Sequence, residues 1–441
     1  MSIQSKTSDS PSNRTIRVEA LARVEGEGGL TVKMRDGAVE SVQFNIFEPP
    51  RFFEAFLRGR HHTEVPDITS RICGICPIAY QMSAVHALEQ ALGIEVTPEI
   101  RALRRLIFCG EWIESHGLHI YMLHAPDFLG YEDAIEMSRK YPVQVTRGLE
   151  LKKAGNDLMS AIGGREIHPI NVRVGGFYKF PERRALEKML DPLKRARDIA
   201  HETVQFVAML DFPDYVQNYE FVSLSHPDEY PILEGKIATS RGLEIPAAEF
   251  PNHFEEYQVE WSHALQAKIS ARGAYFVGPS ARYYLNEAKM PPGVRQAATS
   301  VGFSREDCRN PYKSIIVRSL ETLFACEESI RILERYDDSV PERVGYRVKA
   351  GVGHGCSEAP RGLLYHRYEI EENGIIREAR IIPPTSQNQK SIETDLFNVA
   401  NRNALRPAGE LAHRCAHVVR NYDPCISCAT HMLQVILRSA G

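Results

Sequence analysis

Between residues 16 and 47 the apolar positions alternate with polar ones. Leu30, Val32 and Met34 share one face, Asp36-Gly37 supplies a tight turn, and Val42, Phe44 and Ile46 return along the next stretch. That period of two predicts a β-hairpin. Beyond it the period lengthens. Pro49-Pro50 opens a short helix from Arg51 to Arg58, and Pro77 opens another to about Leu92, with Ile78, Met82, Val85, Leu88 and Leu92 on its buried stripe. A long helical stretch follows Pro98 and carries Glu114, His116, His119 and His124; residues 131–165, 181–211 and 296–336 repeat the helical period. Residues 212–250 are β-rich and broken by Pro and Gly, 255–270 fit neither period, and Glu372-Asn373-Gly374 predicts a second hairpin. No internal repeat or linker interrupts 16–431, so one domain is expected there, preceded by a Ser/Thr/Asn-rich disordered arm over residues 1–15.

Composition narrows the classes. The 441 residues are 43% hydrophobic and 25% charged, the profile of a globular chain with a sizeable core. Lys+Arg 53 against Asp+Glu 57 gives a net charge of -4, so no basic field gathers nucleic acid or anionic lipid. Neither an apolar run long enough to span a bilayer nor a secretory leader is seen, and a cytoplasmic location is expected. Nine cysteines in a chain this long are too sparse for a disulfide scaffold. Cys109, Cys308, Cys326, Cys356 and Cys415 stand alone and read as small buried hydrophobes.

The other four cysteines change the picture. Cys73 and Cys76 lie in Arg71-Ile72-Cys73-Gly74-Ile75-Cys76-Pro77, and Cys425 and Cys428 in Asp423-Pro424-Cys425-Ile426-Ser427-Cys428-Ala429-Thr430-His431. Brought together, two such pairs present four thiolates, a soft set that selects zinc, iron-sulfur clusters or nickel over hard cations. A structural zinc site is the plain reading, weakened because the pairs sit at opposite ends of the chain rather than in one small module. A zinc deaminase would use Pro424-Cys425 and Cys428 with His62-Thr63-Glu64, but leaves Cys73 and Cys76 unexplained. Thioredoxin-like exchange lacks its βαβ setting. Gly351-Val352-Gly353-His354-Gly355-Cys356 has neither dinucleotide-loop spacing nor a Walker lysine, which excludes a phosphate loop.

Taken together, RVEGEG at 23–28, RFFEAFLRGR at 51–60, RICGICP at 71–77, HPINVRVGGF at 168–177, FVGPSARYYLN at 276–286, EAPRG at 358–362 and DPCISCATH at 423–431 resemble the large subunit of NiFe hydrogenases. The likeness spans nearly the whole chain. With the helical pattern it implies a mainly α fold with peripheral β elements (α+β), built on a central bundle of long helices. It further implies that Cys73, Cys76, Cys425 and Cys428 bind a nickel-iron centre, with Cys76 and Cys428 bridging the metals and the iron carrying carbon monoxide and cyanides. Pro360 and Arg361, with Pro384, Thr385 and Ser386 of a hydroxyl-rich Pro turn, would surround those diatomic ligands; a guanidinium and a hydroxyl suit a cyanide nitrogen. Glu25 matches the family's proton-relay carboxylate and would exchange a proton with Cys425. Glu54 and His431 match ligands of a separate magnesium, completed by a backbone carbonyl near Glu378.

The implied activity is reversible heterolytic cleavage of H2, the proton leaving through Cys425 and Glu25. No further cysteine cluster here can hold an iron-sulfur relay, so an iron-sulfur small subunit is required, with diaphorase-type flavin and iron-sulfur subunits beyond it. Nickel-insertion factors and a maturation protease are also implied; the protease would remove residues 432–441. Tyr80 replaces a histidine usual in membrane-linked members and Ser115 replaces an acidic residue. Both departures resemble the cytoplasmic NAD(P)-linked or sulfur-reducing branch. The rivals are a hydrogen-sensing regulatory protein with the same centre and the quinone-site subunit of a respiratory complex, which resembles the family but lacks the four cysteines.

Overall fold

Residues 13–430 are described by the computed structural model. His431 and the tail 432–441 lie outside them, as does most of the arm; the first strand, Arg14–Val18, begins two residues inside the segment expected to be arm. Four long helices form the centre: Pro98–Leu118, Pro142–Gly163, Leu190–Ala208 and Ser314–Leu333. Pro98–Leu118 lies against both Pro142–Gly163 and Ser314–Leu333, and Ser314–Leu333 also packs on Leu190–Ala208. Thr97 starts the first of them, its Oγ1 accepting the Ile100 N–H at 3.3 Å while Pro98 fills the first helical position. Small residues set the crossing: a Cβ on Gly155 would lie 2.4 Å from the Gly110 carbonyl oxygen, so these backbones approach more closely than larger residues permit. Beyond Leu118 the helix widens into one π-type turn, His119–His124, before Ala125–Leu129 with its Pro126.

The β elements are peripheral. Arg14–Val18, Gly28–Arg35 and Ala38–Ile46 make an antiparallel sheet in which Leu30 faces Phe44 and Val32 faces Val42, the pairing expected of that hairpin. Gly351–Ala359, Gly362–Ile370 and Ile376–Ile382 make a second, with the turn at Asn373-Gly374. It lies on the helix Pro77–Leu92, and here the glycines of the 351–356 stretch find their use. A Cβ on Gly353 would fall 1.9 Å from the Ala87 carbonyl, so this strand can lie flat on a helix only without side chains there. Phe254–Tyr257 pairs with Gln266–Ile269, which resolves 255–270 as a hairpin.

Two expected boundaries shift. The helix predicted from Arg51 begins at Phe53, because Phe52 takes the left-handed conformation (φ 56°) and turns the chain first. The stretch Pro383 to Asn388 is not a turn: Pro384 occupies the first position of the helix Pro384–Arg402, placing Thr385 and Ser386 in its first turn. Among the described residues no helix is long and apolar enough to cross a membrane.

The core is not wholly apolar. Arg282, fully buried over the face of Trp112, donates to Glu321 at 2.7 Å, Glu358 at 3.0 Å, and the carbonyls of Ala359 (2.8 Å) and Pro360 (3.1 Å). It thereby fixes the loop that presents Arg361.

Candidate metal centre

The two cysteine pairs, 352 residues apart, meet. Cys73 and Cys76 occupy the turn between the helices Val65–Ser70 and Pro77–Leu92. The buried Glu111 carboxylate accepts the N–H groups of Ile78 (2.6 Å) and Ala79 (3.2 Å), anchoring the second helix at the end that carries Cys76. Cys425 and Cys428 follow the helix Ala408–Asn421 through a turn at Asp423, whose φ of 52° reverses the chain. A parallel bridge between Glu25 and Cys425 holds that segment, with the Ile426 N–H donating to the Glu25 carbonyl at 2.9 Å.

All four sulfurs are buried and lie within 4.8 Å of one another. Cys73 and Cys425 approach to 3.5 Å, Cys76 and Cys428 to 3.9 Å, and Cys425 and Cys428 to 2.7 Å. Burial opposes ionisation of Cys73, yet hydrogen bonds from Cys425, Cys428 and Cys76 and the charge of Arg361 pull its thiol well below the usual range. The N–H groups of Ile75 (3.3 Å) and Cys76 (3.2 Å) also point at that sulfur. Burial pushes Cys425 and Cys428 up, with the neighbouring sulfurs adding to it at Cys425, and hydrogen bonding among the cysteines leaves Cys76 raised as well. A cation bound among the four sulfurs would favour their ionised forms.

Around the sulfurs stand the other expected residues. The Cys425 thiol donates to Glu25 Oε2 at 2.9 Å, and the same oxygen accepts the Ser427 N–H at 3.1 Å. Thr385 Oγ1 accepts the Cys425 N–H at 3.0 Å. Arg361 donates through Nε to the Asp423 carbonyl at 2.8 Å and through Nη2 to Asp423 Oδ1 at 3.1 Å. Against the cost of burial, Asp423 and the cysteines hold its guanidinium firmly protonated. Among the described residues, the buried Arg361 Nη1 and Ser386 Oγ find no hydrogen-bond partner. Pro360 and Pro384 contribute backbone position rather than donors.

Glu54 is buried, accepts the Ile381 N–H at 2.7 Å, and is pushed up to about 7 by burial. The strand backbone that meets it is Ile381, three positions beyond Glu378, whose side chain pairs with Arg367. Tyr80 is buried beside the sulfurs, and burial followed by the charge of Cys428 raises its phenol well above the ordinary range. Ser115 is buried, and among the described residues its hydroxyl has no partner. His116, His119 and His124 are core residues bonded to Glu321, the Arg420 carbonyl and Asn421 rather than members of the four-sulfur cluster. The five solitary cysteines are all buried.

Motif reading missed the roles of Asp423, Ser427, Glu48 and Arg51. Asp423 and Ser427 sit inside the cysteine stretch, so proximity was a signal for them. Glu48 and Arg51 act across hundreds of residues: Glu48 Oε2 accepts from Ser427 Oγ at 3.0 Å, and Arg51 reaches both cysteine loops.

The donor set fits a soft transition-metal centre: four convergent buried sulfurs, with Arg361 Nη1 and Ser386 Oγ as orphaned donors, the condition of groups whose acceptor is not protein.

Comparison with known proteins gives the same direction. The family profile described as nickel-dependent hydrogenase matches residues 51–149 and 272–431. The chain is 33% identical to the alpha chain of sulfhydrogenase 1 of Pyrococcus furiosus, over 95% of this chain and 98% of that one. It is 34% identical to the alpha chain of sulfhydrogenase 2 of the same organism, over 95% of this chain and all of that one. Among solved structures, an NAD+-reducing [NiFe]-hydrogenase in the H2-reduced state superposes with a TM-score of 0.87 at 26% identity, covering 95% of this chain and all of that one.

Proposed function

Since the chain belongs to the nickel-dependent hydrogenases, as the catalytic large subunit of a NiFe enzyme that cleaves H2, we propose the following assignment of its residues, ligands and partners. Cys73, Cys76, Cys425 and Cys428 would hold nickel and iron through their four convergent sulfurs. Arg361 Nη1 and Ser386 Oγ, with Thr385 on the same helix turn as Ser386, would donate to the cyanides of an iron that also bears carbon monoxide. Glu54 serves a separate magnesium site together with His431, which lies outside the described residues.

When bound, the metal pair supplies the Lewis acid that makes dihydrogen acidic enough to split. The chain supplies the base and the exit. Cys425 Sγ takes the proton and passes it to Glu25 Oε2 at 2.9 Å, while the Ser427 N–H at 3.1 Å keeps that oxygen aimed at the sulfur. Glu25 is only half-buried, so a proton placed there has a route outward. Arg361, tied to Asp423, offsets the negative charge of the thiolates.

Electrons leave to an iron-sulfur small subunit. The sulfhydrogenase and NAD+-reducing relatives support NAD(P) or sulfur as the final acceptor, reached through diaphorase-type subunits in a cytoplasmic complex. Nickel-insertion factors and a protease acting on residues 432–441 belong to the same reading.

The observation that carries this assignment is the contact of Cys425 with Glu25 inside a buried four-sulfur cluster. It is tested on the complex purified from its native host. Nickel at one per large subunit, iron in excess of it because the partner's clusters add to the total, and carbonyl and cyanide infrared stretches are expected; zinc in place of nickel with a silent spectrum would refute it.

A further inference from the structure

Arg51 stands in RFFEAF, a motif to which the reaction itself gives no task. Its Nη2 donates to the carbonyl of Ile72 at 2.7 Å and also to the carbonyl of Ser427. Ile72 immediately precedes Cys73, and Ser427 immediately precedes Cys428. The Arg51 backbone N–H adds a bond to the Thr430 carbonyl at 2.6 Å, just after the second cysteine loop. One side chain therefore ties together two ligand loops that are otherwise hundreds of residues apart.

The backbone beside it is shaped for that reach. Phe52 adopts φ 56° and ψ 28°, a conformation that a bulky aromatic residue holds only when its surroundings over-determine it. Here they do. On one side Arg51 is pinned to both cysteine loops; on the other, the helix Phe53–Leu57 is pinned through Glu54, which accepts the Ile381 N–H.

We infer that Arg51 is a positioning residue that holds the two cysteine loops at metal-binding separation. The inference rests on the assignment of the four cysteines as the nickel-iron ligands. Without the guanidinium, nothing in the side chain at position 51 keeps the Ile72 and Ser427 carbonyls facing one donor. The loops then drift apart, and the sulfurs lose the convergence that a shared metal pair requires. Lysine is a poor substitute, because both bonds leave Nη2, whose two N–H directions are fixed in the guanidinium plane, whereas an ammonium on a flexible stem holds no fixed directions.

The test uses the assembled hydrogenase with Arg51→Met and Arg51→Lys, read by metal content, nickel release under a chelator challenge, infrared stretches of the diatomic ligands, and melting temperature. The expected result for Arg51→Met is nickel release faster by about tenfold or more with shifted or broadened cyanide bands, Arg51→Lys falling between it and wild type. A change in melting temperature alone, with nickel release and bands as in wild type, overturns the inference. If Arg51→Met does not assemble, the same criterion is applied to Arg51→Lys. A wild-type complex that carries zinc and no nickel defeats the ligand assignment itself, whereas nickel-loaded wild type with an inert Arg51→Met defeats only the role of Arg51.

Discussion

The thiol of Cys425 donates to the carboxylate of Glu25 at 2.9 Å, across 400 residues of sequence. The contact is built from both sides. Glu25 lies just before Gly26 in a loop whose backbone makes an isolated parallel bridge with Cys425, and its Oε2 is also held by the Ser427 N–H. A carboxylate so placed can take a proton from the sulfur without any backbone movement.

Glu25→Gln keeps the shape and the Ser427 bond but removes the basic oxygen. H2 oxidation and exchange of H2 with D2O should fall by about a hundredfold or more, while nickel and iron content stay at wild-type levels. Exchange at the wild-type rate would show that the proton leaves by another route.

Arg282 is predicted to matter for stability rather than chemistry. Burial disfavours a charged Glu321, yet the Arg282 guanidinium and its hydrogen bonds hold that carboxyl down to about 2; burial wins at Glu358, which rises to about 7. Arg282→Met would leave Glu321 buried beside His116 and Tyr230 without its cation. A loss of about 3–5 kcal/mol is expected in denaturant unfolding, because an uncompensated buried charge costs more than the pair contributes. Paired replacement with Glu321→Gln should recover part of that loss, and a failure to do so would place the cost elsewhere.

His417 gives the protein an acid-sensitive limb. Burial, joined by the charges of Arg420, His413 and Arg23 and opposed by Asp127, lowers its imidazole to about 3. The folded chain keeps this ring neutral while the unfolded chain protonates it below about 6.5. The stability it contributes is therefore complete above that pH and is lost as pH falls from about 6.5 to about 3, at about 1.4 kcal/mol per pH unit. His417→Phe keeps the ring contacts with Phe128 and Tyr312 and removes the titration. Unfolding measured at pH 7 and pH 5 should show a smaller difference in the variant, by about 2 kcal/mol. An unchanged difference would assign the acid limb to other groups, such as His116, which burial lowers to about 4.

The first hairpin, the Pro77 and Pro98 helices and the turn at Asn373-Gly374 were legible in the sequence because each is a local matter. Side-chain period and turn chemistry act over a few residues, and a proline or glycine at the right place starts or stops an element. Thr385 and Ser386 were legible as residues but not as a helix start, since Pro383-Pro384 signals a turn and a first helical turn equally well. Phe52 could not be anticipated at all: its left-handed backbone is imposed by Arg51 and Glu54, both bonded to segments far along the chain.

By itself the sequence determined the donor types: two cysteine pairs of one spacing, a carboxylate just before a glycine, and an arginine after Ala359-Pro360, the set on which the resemblance to the family rests. Only the tertiary structure decided their geometry. It brought Cys73 within 3.5 Å of Cys425, turned Glu25 onto that thiol, freed one nitrogen of Arg361 by committing the others to Asp423, and set Arg51 between the two loops. The reason is physical. Residue identity and local spacing fix which atoms can bind a metal, but convergence of groups hundreds of residues apart depends on the packing of helices whose buried faces, close glycine contacts and buried ion pairs act together.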